Sequence, residues 1–105
     1  MSTSSAALLV LESWEWKRQH GFIVASGTVT NVSSGRLNDI LGVVEIYTEG
    51  RRDLIDSGEA LLDLRALMPG QSSSFTVHVG DNPLAMVAGV RFRGLMGGPI
   101  RFRRR

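Results

Sequence analysis

The chain has 105 residues, a formal net charge of +2 and no cysteine. A chain of this length is expected to form one domain that folds without crosslinks, and the lack of cysteine excludes disulfides and thiolate metal sites. Residues 1–6 are predicted to be a flexible N-terminus and residues 7–105 a single domain with a basic C-terminal end.

Alternating apolar residues predict β-strands from the start of the chain. The first strand is predicted over residues 8–16, where the alternation falters at Glu12–Ser13 and indicates either a bulge or a crossing between sheets. Residues 17–21 are polar and predict a turn. The clearest alternation follows over residues 22–33, which are rich in β-branched side chains and predict a central strand.

Further strands are predicted over residues 40–48, 54–55, 74–79, 86–93 and 100–103, the last as an edge strand. Residues 56–58 are expected to interrupt the strand before them. Residues 59–68 fit either a short helix or a strand, because their leucines occur at both spacings. Seven or eight short strands at near-regular spacing predict an all-β fold, an antiparallel β-sandwich, rather than a parallel α/β sheet.

Residues 27–31, 44–48 and 67–75 together resemble the FxLYD domain family. Gly27-Thr-Val-Thr-Asn31 is similar to its G-x-V-x-N strand, and Val44-Glu-Ile-Tyr-Thr48 lies where the family carries Phe-x-Leu-Tyr-Asp. The segment over residues 67–75 is similar to its L-x-P-G-x-x-x-x-F pattern. The resemblance covers about residues 9–92 and implies an immunoglobulin-like sandwich, found in bacterial and archaeal proteins and often surface-exposed. The family has no established catalytic site, so the resemblance assigns no functional residue.

The residues of these motifs are expected to have structural roles. Gly27 allows the close approach of a neighbouring strand or a bulky side chain. Asn31 is placed to bond the backbone at the end of its strand. Tyr47 is expected to pack its ring and to bond the backbone through its hydroxyl, in the manner of a corner tyrosine.

The sequence carries no motif for catalysis, for a metal or for a cofactor. It lacks a cysteine nucleophile, a G-x-S-x-G elbow and a glycine-rich phosphate loop, and its two histidines do not have metal-ligand spacing. The protein is therefore predicted not to be an enzyme and to need no cofactor.

Two features are candidates for contact with a partner. Trp14 and Trp16 share one face of the first predicted strand and would form an aromatic platform if exposed, while the alternative is that they belong to the core. The second feature is the run of arginines at the end of the chain, Arg101, Arg103, Arg104 and Arg105. These arginines would contact nucleic acid or anionic lipid, or they form a solvated terminus.

These patterns predict a non-catalytic binding module for an unknown protein partner, or a surface-associated one. The alternative is a nucleic-acid-associated protein that binds through the arginine run. A monomer is expected, with the last strand as a docking edge for an acidic peptide, because Arg101 and Arg103 would repel their copies in a symmetric pair. No apolar run is long enough to span a membrane, and no leader is visible. The location is left open, and it would be extracytoplasmic if a leader was removed.

Overall fold

Ten β-strands and one 3-10 turn, Glu49–Arg51, make up the computed structural model, which describes residues 6–105. The strands are β1 (Leu9–Gln19), β2 (Phe22–Asn31), β3 (Leu37–Asn38), β4 (Ile40–Tyr47), β5 (Leu54–Leu61), β6 (Ala66–Leu67), β7 (Ser72–Gly80), β8 (Val87–Gly94), β9 (Pro99–Ile100) and β10 (Phe102–Arg104). The number exceeds the expected seven or eight because several strands have only two or three residues. Residues 1–5 of the expected flexible N-terminus lie outside the described range.

Two four-stranded sheets pack face to face around one apolar core, so the predicted all-β sandwich is confirmed. The front sheet has the strand order β10-β1-β2-β7, and the back sheet has the order β5-β4-β8-β9. Strands β3 and β6 form a separate two-stranded sheet. Neighbouring strands run antiparallel, except that β10 runs parallel to β1.

Phe75 on β7 lies at the centre of the core and is fully buried. Its ring meets the ring of Phe92 on β8 edge-on, with 5.4 Å between the centroids. Two glycines make room for the Phe75 ring: a Cβ atom would lie 3.0 Å from it at Gly27 and 3.2 Å from it at Gly42. At Gly27 the same atom would lie 2.3 Å from the carbonyl oxygen of Ser13, so the predicted close approach of strand and side chain is confirmed.

The hairpin of β1 and β2 is longer than the sequence pattern indicates. β1 carries the expected bulge, at Glu12, and then continues to Gln19. The turn predicted over residues 17–21 is therefore too long. Only His20 and Gly21 form the turn, and their φ angles are positive, at 52° and 81°. Two-residue turns with this backbone match the twist of the paired strands. The polar residues before the turn pair through their backbones while their side chains are exposed, so their polarity does not end the strand.

The interruption expected at residues 56–58 is wrong, since β5 runs unbroken through them. Gly58 lies in the strand because β5 passes close to β7. A Cβ atom at Gly58 would lie 3.0 Å from Cγ2 of Val79 and 3.1 Å from the carbonyl oxygen of His78. The ambiguous residues 59–68 contain the end of β5, a loop and β6, and no helix.

Asn31 at the end of β2 is fully buried, and both ends of its amide are bonded. Its Nδ2 donates to the carbonyl oxygens of Gly35 at 2.9 Å and Leu67 at 2.8 Å. Its Oδ1 accepts hydrogen bonds from the backbone N–H and the hydroxyl of Ser33. The predicted backbone bonding at the strand end is confirmed, and the same side chain also ties β2 to β6.

Tyr47 does not have the partner expected of a corner tyrosine. Its hydroxyl bonds a carboxylate oxygen of Glu45 at 3.3 Å rather than the backbone. The guanidinium of Arg51 lies over the Tyr47 ring, 4.6 Å from its centre. Tyr47 is therefore half-buried beneath side chains on the outer face of the back sheet.

The single edge strand predicted over residues 100–103 is wrong. β9 pairs with β8 in the back sheet and β10 pairs with β1 in the front sheet, so the chain crosses between the sheets at Arg101. Ile100 and Phe102, on either side of the crossing, both pack against the core. In the sequence, Ile100 and Phe102 alternate with arginines and therefore resemble a single strand. In the structure, the two side chains enter the core from different sheets.

Candidate interaction surface

The two long sides of the sandwich differ in how completely they are closed. On one side, β5 and β7 come into close contact around Gly58. On the other side, β9 has two residues and β10 has three, so they cover only part of the neighbouring strands. We call residues 13–19 of β1 together with residues 87–91 of β8 the open side.

In the part of the chain that the structure describes, the outward-facing backbone groups along the open side lack strand partners. β2 pairs with β1 from Leu9 to Gln19, whereas β10 pairs only with residues 9–11. β9 pairs with β8 only at Phe92 and Arg93. Within residues 6–105, no other strand pairs with these two edges. Such an edge presents a row of N–H and C=O groups to which another strand can be added.

Trp14 and Trp16 both lie on the open side and are half-buried against the core. The Trp14 ring stacks on Phe75, with 6.3 Å between centroids and 22° between the ring planes. The guanidinium of Arg18 lies 5.8 Å from the centre of the Trp16 ring. Both tryptophans therefore contribute to core packing and keep part of their surface accessible.

Arg18 is a residue that sequence reasoning missed. Its guanidinium donates to a carboxylate oxygen of Asp81 at 2.9 Å and to the carbonyl oxygens of Asn82 at 3.2 Å and Ala85 at 2.6 Å. These partners are 63 or more residues away along the chain, so no local pattern signals them. Arg18 joins β1 to the loop before β8 at one end of the open side.

The backbone of the arginine run is part of the fold, since β10 pairs with β1. The Phe102 ring inside it meets Phe92 edge-on at 5.1 Å. The carbonyl oxygen of Arg101 accepts hydrogen bonds from the backbone N–H groups of Leu8 at 2.9 Å and Leu9 at 3.3 Å. The side chains that remain exposed are those of Arg101, Arg103, Arg104 and Arg105.

Arg105 and Glu12 form a salt bridge that holds the end of β10 against the bulge of β1. Nη2 of Arg105 donates to Glu12 at 2.9 Å, Nε donates to the other carboxylate oxygen, and the Thr30 hydroxyl donates to the carboxylate at 2.6 Å. The hydrogen bond from Arg105, followed by that from Thr30, lowers the pKa of Glu12 from 4.5 to about 2. The same bond raises the pKa of Arg105.

The salt bridge has a testable pH dependence. We expect the Glu12 carboxyl to titrate near pH 2 in the folded protein, and the Arg105→Gln variant to bring its pKa back toward the ordinary 4.5. Because the folded pKa is depressed, the stabilisation from the pair is present above pH 4.5 and is lost as the pH falls toward 2. A carbon-detected NMR titration of the carboxyl measures this. Arg104→Gln is the matched control, and an unchanged titration in Arg105→Gln would contradict the assignment.

A groove lies beside the point where the chain crosses between the sheets. Its volume is about 610 Å³. The residues that line this crossover groove are Ala7, Pro99, Ile100, Arg101, Phe102 and Arg103. Among residues 6–105, its lining is mainly apolar, and the ionisable groups in it are the two guanidinium groups.

Within residues 6–105, no group of three or more histidine, aspartate or glutamate side chains is placed to hold a metal ion. The same range contains no helix with the length and apolar character needed to cross a membrane. No protein-family model, curated protein or solved structure matches the chain significantly. The resemblance to the FxLYD family and the immunoglobulin-like type of sandwich therefore stay predictions.

Proposed function

We propose that this protein is a non-catalytic interaction module that binds a protein partner at the open side of its sandwich. The observation that carries the proposal is the unequal pairing of β1, which β2 covers over its full length and β10 covers only at residues 9–11. An extended segment of the partner would continue the front sheet along residues 13–19 through backbone hydrogen bonds. Trp14 and Trp16 would supply apolar surface for alternate side chains of that segment.

We infer a monomer, because two features of the same edge act against pairing with a second copy. The bulge at Glu12 increases the local twist of the edge. Lys17 places an exposed positive charge on the same edge, whereas the charge of Arg18 is paired with Asp81. Like charges that face each other across paired strands are destabilising, so a symmetric pair of β1 edges in which Lys17 faces its copy is disfavoured.

We also propose that the sandwich is of the immunoglobulin-like type. The support is its strand order, in which the chain crosses between the two large sheets after β2, after β5, after β7 and after β9. Crossing connections of this Greek-key kind are characteristic of immunoglobulin-like sandwiches. The segments that resemble the FxLYD family fall on β2, β4 and the region of β6 and β7. Nuclear Overhauser effects between strands test this order, and pairing of β7 with β8 would contradict it.

Nucleic-acid binding through the arginine run is the competing function. Part of the run already has partners within the fold. The backbone of β10 pairs with β1, and Arg105 forms a salt bridge with Glu12. Phe102, the aromatic residue of the run, is half-buried against Phe92 instead of presenting an open face on which a base would stack. We therefore favour a protein partner and treat nucleic acid as an outcome of the test.

The proposed site predicts where extended peptides bind. Ten-residue peptides selected from a random display library are expected to shift amide resonances of residues 13–19 and 87–91. Truncation of Trp16 to alanine is expected to weaken binding by about tenfold, because partly buried tryptophans contribute strongly to interfaces. Phe22→Ala is the matched control, because it removes an aromatic side chain from the outer face of the front sheet.

Two results would contradict the proposal. The first is a set of amide shifts confined to β5 and β7, on the closed side. The second is that the library yields no peptide that binds, while a single-stranded oligonucleotide binds tightly. Sedimentation equilibrium of the free protein checks the inferred monomer, which a tight dimer would contradict.

A further inference from the structure

We infer that the crossover groove binds an acidic segment of a partner protein and that the segment places an apolar side chain in the groove. The groove lies beside β10, away from the free edge of β1, and its assignment as a binding site rests on the proposed function. Three observations carry the assignment: unpaired positive charge, a preformed apolar lining and a free backbone edge.

The positive charge comes from Arg101 and Arg103. Within residues 6–105, neither guanidinium has a carboxylate within 4.0 Å, and no acidic residue lines the groove. Arg103 does help to lower the pKa of Glu12, but that carboxylate is already bonded by Arg105. Carboxylates of a partner would thus meet two guanidinium groups that are free to form charge-assisted hydrogen bonds.

The apolar lining is held in place by the core. Ile100 and Phe102 pack against the core from the back and front sheets, and Pro99 lies next to them in β9. Edge-on contact with Phe92 at 5.1 Å restrains the Phe102 ring. The groove, with a volume of about 610 Å³, is open to solvent, so an apolar side chain of a partner can reach Ile100 and Phe102.

The free backbone edge favours a peptide over other anionic partners. β10 is the edge strand of the front sheet, so its side away from β1 presents unpaired N–H and C=O groups within the described residues. An extended peptide pairs with such an edge, whereas a nucleic acid, whose phosphates would also attract the two arginines, has no peptide backbone with which to pair. The basic residues that disfavour a symmetric pair of β10 edges are attractive to an acidic segment.

The probe is the capped hexapeptide Asp-Asp-Leu-Phe-Asp-Asp. We expect it to shift the amide resonances of Ala7 and residues 99–103 and to bind about tenfold more tightly than Asn-Asn-Leu-Phe-Asn-Asn. It is also expected to bind more tightly than Asp-Asp-Ser-Ser-Asp-Asp, which lacks the apolar anchor. Binding of the acidic probe is expected to weaken as salt is raised, since exposed charges are screened.

A double variant, Arg101→Gln with Arg103→Gln, tests the charged groups directly. Both side chains are exposed, so the fold is expected to be retained, and circular dichroism checks it. Affinity for the acidic probe is expected to fall by about tenfold. Arg36→Gln with Arg52→Gln is the matched control, because it removes the same charge from exposed loop positions and is expected to leave affinity unchanged.

Equal binding of the acidic and amide probes to the unmodified protein would overturn the inference, whatever the variants do. Equal affinity of the folded double variant, or tighter binding of a single-stranded oligonucleotide than of the probe, would also overturn it. If these probes fail while library peptides still shift residues 13–19, the proposed function stands and only the groove assignment is lost.

Discussion

Replacement of Asn31 by alanine is expected to lower the free energy of unfolding by about 3 kcal/mol. Asn31 is fully buried, and its amide donates to the carbonyl oxygens of Gly35 and Leu67. Removal of the side chain leaves the Leu67 carbonyl without this partner in a buried position, and it removes the acceptor of the Ser33 backbone N–H. An unsatisfied buried polar group costs about 1–3 kcal/mol, so several together account for the expected loss.

Urea unfolding followed by tryptophan fluorescence measures the effect. Asn31→Asp is a second variant of nearly the same shape, in which a carboxylate oxygen replaces the amide donor and faces two carbonyl oxygens. It is expected to destabilise the protein at neutral pH at least as much as alanine does. Asn38→Ala is the control, because Asn38 is exposed and its removal is expected to change stability by less than about 0.5 kcal/mol. Similar values for Asn31→Ala and Asn38→Ala would show that the buried amide network does not stabilise the fold.

Truncation of Phe75 to alanine is expected to cost about 4 kcal/mol, the largest effect of any single change proposed for this protein. The side chain is fully buried and contacts the rings of Phe92 and Trp14. The cost combines the lost burial of the ring with a cavity between the two sheets that the strands cannot close. Phe22→Ala removes the same side chain from a position that is 48% exposed, and its cost is expected to be below about 1 kcal/mol.

The two glycines beside Phe75 allow a sharper test of the packing. Gly42→Ala brings a Cβ atom within 3.2 Å of the Phe75 ring, so its cost is expected to shrink in a Phe75→Leu background. Gly27→Ala is expected to remain destabilising in both backgrounds, because its Cβ atom would lie 2.3 Å from the carbonyl oxygen of Ser13. Equal costs of Gly42→Ala in the two backgrounds would mean that the ring does not limit the space there.

The candidate surface was predictable only in part. The sequence places Trp14 and Trp16 on one face of a strand and collects the arginines at the chain end. It does not reveal that the chain leaves the back sheet after β9 and that β10 pairs with β1. The contact of Arg105 with Glu12, for example, joins residues 93 positions apart. The open side and the crossover groove both arise from that crossing, so neither has a local signature.

By itself the sequence determined the strand character of most of the chain, because the alternation of apolar and polar side chains is a local property that suits a half-buried sheet. It also determined the roles of Gly27 and Asn31. A glycine inside a strand indicates a close approach of a neighbouring group, and a short amide at the end of a strand indicates a bond to the backbone. Only the tertiary structure decided which sheet each short strand joins and where the strands end. Those outcomes depend on contacts between residues far apart in the chain. Gly58 is needed where β5 passes close to β7, and the crossing at Arg101 directs Ile100 and Phe102 into the core from opposite sheets.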